Sequence, residues 1–146
     1  MTAIRHDPFR VDPTYNGIYA HGVELAPSSR VLLVSGQVGV APDGTLGKSF
    51  REQFEQAIEN VRAVLNNADM ALSDVTRLGI FLIRRGDIET AVDIRKRHFA
   101  GVRPAITTVL VSGLVSPEWL VEVEATAVQE SRQGAHGQSS VWRSHL

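Results

Sequence analysis

The sequence contains no cysteine, and only 6% of its residues are aromatic. A chain without cysteine has no disulfide bond, no thiolate nucleophile and no zinc ribbon. No run of about 18 apolar residues occurs, so the sequence predicts no membrane partner and no membrane-spanning helix. The N-terminal stretch MTAIRHDPFRVDP is too polar for a secretory signal, and we therefore expect a cytoplasmic protein.

An excess of charge of one sign is also absent, because the formal net charge is −1. A near-neutral chain has no general attraction for nucleic acid or anionic lipid. Two basic clusters, residues 84–85 and 95–97, contain no interleaved aromatic residues, which favours solvated surface over a nucleic-acid site. None of the five histidines has a second histidine two to four positions away. We therefore expect no metal site and no cofactor.

What the sequence does contain is the composition of one soluble domain, with 43% hydrophobic residues in a chain of 146. Alternating or β-branched runs predict strands, and apolar residues spaced by three and four predict helices. The predicted strands are residues 17–25, 30–40, 75–83, 106–111 and 119–128, and the predicted helices are residues 50–67, capped by Ser49, and 88–100, capped by Asp87. Residues 1–16 are predicted as an irregular arm, 17–128 as the domain, and 129–146 as a tail that is either frayed or docked on a neighbour through Trp142.

The order of these elements, β-β-α-β-α-β-β, predicts an α+β fold with a single mixed β-sheet and two helices on one face. Residues 31–34 and 106–111 are apolar on both sides of their strands, so the second face of the sheet must also be covered. Since the chain offers no third layer, the pattern predicts self-association.

The last predicted strand alternates, with Val121, Val123 and Ala125 on one face and two carboxylates on the other, Glu122 and Glu124. Carboxylates separated by one residue on a strand point the same way, about 7 Å apart. Such a face is either solvated or lines a cleft, and the alternation alone leaves both interpretations open.

Short motifs stand at both ends of the predicted domain. They are Tyr19 and Ser35-Gly36-Gln37 near its start, and Pro104-Ala105 and Val121-Glu122-Val123-Glu124-Ala125 near its end. In this order they resemble the signature of the Rid family, the reactive intermediate deaminases, also called YjgF or perchloric-acid-soluble proteins. Three positions depart from that signature, because Ile18 stands where it has proline, His21 where it has glutamine and Ile106 where it has arginine.

The resemblance implies a chorismate-mutase-like fold assembled as a homotrimer, with the sheets packed inward around a central barrel. It also implies an active cleft between subunits, in which 2-imino or enamine acids are hydrolysed to 2-keto acids and ammonia. Carried over to this chain, the implied catalytic residue is Glu122, which holds or activates the attacking water. The implied substrate-binding residues are Tyr19, Ser35, Gly36, Asp93, Ile106 and Thr108.

The isoleucine at position 106 changes what the resemblance implies about the substrate. A guanidinium holds a carboxylate through two parallel hydrogen bonds, and Ile106 offers none. Losing such a charged contact costs about 1.5–3 kcal/mol, roughly 10- to 150-fold in binding of the transition state. The sequence therefore predicts poor handling of small 2-imino carboxylates, unless Arg95 or Arg103 reaches the cleft in its place.

The function predicted from these residues is a hydrolase or deaminase that acts on a reactive imine or enamine, with a small-molecule substrate and a homotrimeric assembly. A non-catalytic, ligand-binding or regulatory trimer is the alternative. Endoribonuclease activity is a third hypothesis, because the family often carries that label. Near-neutral charge and the lack of a paired histidine or lysine acid–base site argue against it.

Overall fold

Six strands and two helices make up residues 3–8 and 17–131, the part of the chain that this computed structural model describes. In chain order they are β1 (Ala3–His6), β2 (Gly22–Leu25), β3 (Arg30–Val38), α1 (Phe50–Asn67), β4 (Val75–Leu82), α2 (Ile88–His98), β5 (Ala105–Leu110) and β6 (Val121–Gln129). Two single 3₁₀ turns, Leu72–Asp74 and Arg85–Asp87, lead into β4 and α2. The tail residue Trp142 lies outside the described residues, and no helix within them combines the length and apolar composition of a membrane span.

The main sheet has four strands in the order β3-β6-β4-β5. The pair β4–β5 is parallel and the other two pairs are antiparallel, so the sheet is mixed. Two helices and a mixed sheet confirm the predicted α+β fold. The parallel pair is connected through α2, which supplies the crossover that parallel neighbours require.

The prediction of a single sheet is wrong, because β1 and β2 form a separate two-stranded antiparallel sheet. The first predicted strand, residues 17–25, is strand only over Gly22–Leu25, and it pairs with β1. The arm, predicted to be irregular, contains β1. A strand of four exposed or half-buried residues has too little hydrophobic alternation to be recognised, and its hydrogen-bonding partner lies about twenty residues away along the chain.

Helix α1 covers one face of the sheet and begins at the predicted cap. Ser49 Oγ accepts a hydrogen bond from the Glu52 backbone N–H at 3.2 Å, and the Glu52 carboxylate accepts one from the Ser49 N–H at 2.9 Å. This reciprocal capping box satisfies two N–H groups that the helix itself leaves unpaired. The apolar stripe of α1 packs on β3 and β6, and its buried members are Phe50, Phe54, Ala57, Ile58, Val61 and Leu65.

A buried amide ties α1 to the entrance of β6. Gln53 donates to the carbonyl oxygens of Gly47 at 3.0 Å and Glu118 at 3.1 Å, and it accepts from the Leu120 N–H at 2.9 Å. Its side chain therefore satisfies one backbone group in the segment before α1 and two in the loop before β6. This contact fixes where β6 starts and hence which face each of its residues occupies.

Helix α2 begins at Ile88 after Asp87, as predicted, but the side chain of Asp87 makes no capping hydrogen bond. This carboxylate instead forms an ion pair with Arg84, whose Nε donates to Asp87 Oδ2 at 2.8 Å. The helix ends at His98, two residues before the predicted end, and Gly101 follows with a positive φ of 76°. Within the helix, Asp93 and Arg97 form an i, i+4 ion pair at 3.7 Å.

Both helices lie on one face of the main sheet, and the opposite face is open in the single chain. Val121, Val123, Ala125 and Ala127 of β6 are buried under the helices. On the other face, Val31 is 51% exposed and Leu33 is 75% exposed. Exposed aliphatic residues on a sheet face are typical of a surface that another layer covers. Assembly of three chains around a barrel stays a prediction.

The arm is held to the main domain by an ion pair. Asp7 pairs with Arg103 and accepts a hydrogen bond from the His21 N–H at 3.1 Å, while Arg5 Nε donates to the Arg103 carbonyl at 2.9 Å. The hydrogen bond from Arg103 holds the pKa of Asp7 below its usual value of 3.8. Because the folded state favours the carboxylate, this contribution to stability is complete above pH 3.8 and is lost as the pH falls through the lowered pKa.

We expect Asp7→Asn to lower the midpoint of thermal unfolding at neutral pH, because the neutral amide forms a weaker contact with Arg103. The difference from the unaltered protein should shrink in acid, where Asp7 itself becomes protonated. Thermal unfolding of both proteins between neutral pH and about pH 2 measures this difference. A difference that stays constant over the whole range would contradict the ion pair.

Candidate functional site

A cavity of about 420 Å³ lies between α2, β5 and the segment before β2. Its lining residues are Ile18, Tyr19, Val92, Arg95, Lys96, Ile106 and Thr108. Three residues predicted to bind substrate, Tyr19, Ile106 and Thr108, are therefore brought together. We call this the Tyr19 cavity.

Strand register explains why Ile106 and Thr108 share this cavity. On the parallel neighbour β4, Ile106 lies beside Leu78 and Thr108 beside Ile80, both of which are buried under the helices. Ile106 and Thr108 thus point to the helix side of the sheet. Since β5 is an edge strand, their side chains border a cavity, whereas the corresponding residues of β4 lie in the core.

Tyr19 reaches the cavity because hydrogen bonds hold its segment against the residues that precede β5. The Ala20 N–H donates to the Pro104 carbonyl at 3.1 Å, and Arg103 Nη2 lies 3.5 Å from the Tyr19 carbonyl oxygen. The ring of Tyr19 meets the ring of His21 edge-on, with centroids 5.4 Å apart. His21, at the departing glutamine position, therefore supports Tyr19 and is not among the residues that line the cavity.

A second cluster forms on the open face of the sheet, where β3 bulges against β6. Val34 pairs with Ala125 and Gln37 with Val123, so Ser35 and Gly36 together oppose a single residue. A Cβ built on Gly36 would lie 2.7 Å from Cδ of Glu122 and would overlap its carboxylate. Gly36 thus allows the Glu122 side chain to lie directly on the backbone of the bulge. We call Ser35, Gly36 and Glu122 the Glu122 cluster.

The two carboxylates of β6 share one face, as predicted, but their surroundings differ. Glu122 is half-buried against the bulge, and its side chain makes no hydrogen bond or ion pair with the described residues, which leaves its carboxylate able to accept a proton or bind water. Glu124 is exposed and lies over Gly79, where an added Cβ would be 2.7 Å from its Cγ. Of the two carboxylates, it is that of Glu122 that lies against the Gly36 backbone.

The Tyr19 cavity and the Glu122 cluster lie on opposite faces of the same sheet. Glu122 pairs with Phe81, the neighbour of the inward-pointing Ile80, and successive residues of a strand point to opposite faces. One chain therefore does not bring Glu122 and Ile106 into one cleft. Asp93 joins neither group, because it lies exposed on α2, 3.5 Å from Arg51 and 3.7 Å from Arg97. Its role in substrate binding stays a prediction.

Of the two arginines that could replace a cation at position 106, Arg95 lines the Tyr19 cavity together with Ile106. Arg103 is instead paired with Asp7 and directed to the Tyr19 carbonyl. Arg95 is only 9% exposed, and burial lowers the pKa of its guanidinium below its usual value.

Sequence reasoning did not assign Ile18, Val92 and Lys96 to the site, and these residues complete the cavity. Val92 and Lys96 are four residues apart and flank Arg95, so the helical period of α2 already placed them on neighbouring positions of one face. A larger cavity, about 550 Å³, runs along the start of α1 but contains none of the predicted site residues. In the described ranges, no group of three or more histidine, aspartate or glutamate side chains could hold a metal ion.

A mixed four-stranded sheet, two helices on one of its faces and a bulge that carries Ser-Gly-Gln against a strand carrying Glu-Val-Glu define a class of small α+β proteins. Residues 10–129 match the model of the family described as Endoribonuclease L-PSP, and the chain belongs to this Rid/YjgF family.

Relatives and solved structures agree with this membership. The chain is similar to a RutC family protein of Saccharolobus solfataricus, with 34% identity over 113 residues that cover 76% of this chain and 86% of the relative. It is 28% identical to the putative reactive intermediate deaminase TdcF of Escherichia coli, over 79% of this chain and 89% of the relative.

Among solved structures, the Rid family protein YyfB of Yersinia pestis, described as of unknown function, superposes with a TM-score of 0.77 at 28% identity, covering 88% of this chain and 100% of its own. The YjgF gene product of Escherichia coli superposes with a TM-score of 0.66 at 27% identity, covering 79% and 91%.

We expect Gly36→Ala to displace the Glu122 carboxylate from the bulge without unfolding the protein, because the overlapping atoms are the end of a flexible side chain. The free energy of unfolding should change by no more than about 1 kcal/mol. Gly79→Ala is the matched control, since it displaces Glu124 in the same way and should leave Glu122 in place. Crystal structures and chemical denaturation of both variants check this. An unmoved Glu122 in Gly36→Ala would contradict the close approach.

Proposed function

We propose that this protein hydrolyses a reactive imine or enamine and releases ammonia, with Glu122 as the catalytic residue. The observation that carries the proposal is the Glu122 carboxylate, held against the bulge at Gly36 and without a hydrogen-bond partner among the described residues. Family membership and a relative named as a putative reactive intermediate deaminase support the same chemistry.

The reaction needs little from the protein beyond positioning and one base. An imine carbon is already electrophilic, so a water oxygen attacks it once the water is held in place. Glu122 takes a proton from that water as the C–O bond forms and passes it to the nitrogen, which gives an adduct with one hydroxyl and one amino group. Glu122 then moves the hydroxyl proton to the nitrogen as the C–N bond breaks, so that ammonia leaves and the carbon becomes a carbonyl. An enamine enters the same sequence after tautomerising to the imine. Atoms balance as imine plus water giving ketone plus ammonia.

The cleft that performs this reaction forms between two subunits of a homotrimer in our proposal. Glu122 and the Tyr19 cavity lie on opposite faces of one sheet, so the Tyr19 cavity of one subunit must face the Glu122 cluster of another to make a complete site. The exposed Val31 and Leu33 lie on the same face as Glu122 and offer apolar area for that contact.

Position 106 carries no cation in this cleft. Either the substrate has no acid group, as Ile106 alone predicts, or another residue supplies the charge that holds it.

We expect Glu122→Gln to reduce kcat for imine hydrolysis by about 10²- to 10⁴-fold, because the amide cannot take a proton from water. The assay generates 2-iminobutyrate and other imines from their amino acids and follows ammonia or the carbonyl product. Glu124→Gln is the matched control and should keep most of the activity, because Glu124 lies on the same strand face but its side chain lies over Gly79 and not over Gly36.

The same experiment separates the enzyme from the non-catalytic, ligand-binding alternative. If Glu122→Gln changes the turnover of none of the imines and enamines tested, Glu122 is not the catalytic residue. That result would favour the ligand-binding alternative. RNA cleavage that survives purification and falls with Glu122→Gln would favour the endoribonuclease hypothesis.

We expect two inactive variants to restore activity when they are combined in one trimer. Glu122→Gln removes the base, and Thr108→Trp fills the Tyr19 cavity, so each homotrimer should be inactive. In trimers assembled from equal amounts of both chains, a site shared by two neighbours is intact at about one quarter of the interfaces. Co-expression with two different affinity tags, followed by the imine assay, measures this. A mixture that stays inactive would mean that both residues act within one chain.

A further inference from the structure

Arg95 is a buried cation that has no partner within the described chain. Its side chain lies in the last turn of α2, is 9% exposed, and makes no hydrogen bond or ion pair with the described residues. Burying a charge without a partner is costly, and an arginine stays protonated under these conditions. The carbonyl end of α2 offsets a part of this cost, and the guanidinium N–H groups stay accessible at the Tyr19 cavity, where a ligand can accept hydrogen bonds from them.

The Tyr19 cavity that Arg95 lines has a charge of one sign. Its lining residues include two cations, Arg95 and Lys96, and no carboxylate. Ile106 and Val92 make the rest of its wall apolar, while Tyr19 and Thr108 provide hydroxyl groups. A cavity of about 420 Å³ with this lining suits a small organic anion with a short aliphatic part.

The other two cations near this cavity, Arg103 and Lys96, are less suited to bind an anion in it. Arg103 borders an adjoining cavity of about 290 Å³ but is paired with Asp7. Lys96 is exposed, so water screens much of its charge. Arg95 borders both cavities and is the most buried cation there.

We propose that Arg95, on α2, binds the carboxylate of the substrate in the Tyr19 cavity, in place of the guanidinium that the family signature has at position 106. The ligand class is a small 2-imino acid or the 2-keto acid formed from it. The carboxyl-binding cation is thus on α2 in this chain, whereas the family signature has it on the strand at position 106. Ile106 packs beside the aliphatic part of the ligand. This proposal rests on the proposed function for the identity of the ligand, but it concerns binding rather than the chemical step.

Arg95→Met tests the proposal, because methionine keeps an unbranched, apolar side chain and removes the charge. The probe is 2-oxobutyrate, with its uncharged methyl ester as the comparison ligand, and Kd is measured by calorimetry or NMR. We expect Arg95→Met to weaken binding of 2-oxobutyrate by roughly 10- to 150-fold and to leave binding of the ester nearly unchanged. Ile106→Arg added to Arg95→Met should restore binding of the acid.

Arg97→Met is the matched control, since Arg97 lies on the same helix turn but is exposed and paired with Glu55 and Asp93. It should not change either Kd. Equal loss of acid and ester binding in Arg95→Met would assign Arg95 a merely structural role and overturn the proposal.

The unaltered protein gives a second measurement that does not depend on a variant that folds. In a crystal structure with 2-oxobutyrate, we expect the carboxylate within hydrogen-bond distance of the Arg95 guanidinium. A carboxylate bound elsewhere, or no binding of 2-oxobutyrate, would overturn the anchor. Imine hydrolysis that still depends on Glu122 would then leave the proposed function intact, and loss of that dependence would reject the proposed function separately.

Discussion

The position of β6 between β3 and β4, with one face pressed under α1, is the constraint on which the rest of the structure depends. Burial of Val121, Val123 and Ala125 leaves Glu122 and Glu124 no direction except the opposite face. The amide of Gln53 fixes the register at the entrance of this strand. A shift by one residue would place two carboxylates in the core, so the core itself holds the catalytic candidate on the open face.

The edge of the sheet completes the arrangement on the other side. Strand β5 turns Ile106 toward α2, and the arm engages Arg103 through Asp7. Arg95 is left as the buried cation that faces the apolar side chain at position 106. The carboxyl-binding and proton-accepting roles that we propose for Arg95 and Glu122 thus lie on opposite faces of one sheet, which is why the proposed site needs two chains.

Predictions from the sequence succeeded where the signal was long and periodic. The stripe of α1 and its Ser49 cap were visible because eighteen residues repeat one pattern and a serine, a favoured N-cap residue, comes directly before them. They failed where a short strand or a single side chain depends on a contact that the local sequence pattern does not reveal. Strand β1 was missed for this reason, and Asp87 was expected to cap α2 although Arg84 binds its carboxylate.

The sequence by itself determined the α+β fold, the faces of β6, and the motifs that mark the family, because these depend on local periodicity and on residue identity. Only the tertiary structure decided that Gly36 lies under Glu122, that Asp93 faces Arg51, and that Arg95 rather than Arg103 borders Ile106. Those contacts join residues that are distant in the chain, and long side chains can reach several partners. Which partner each one meets follows from packing in three dimensions.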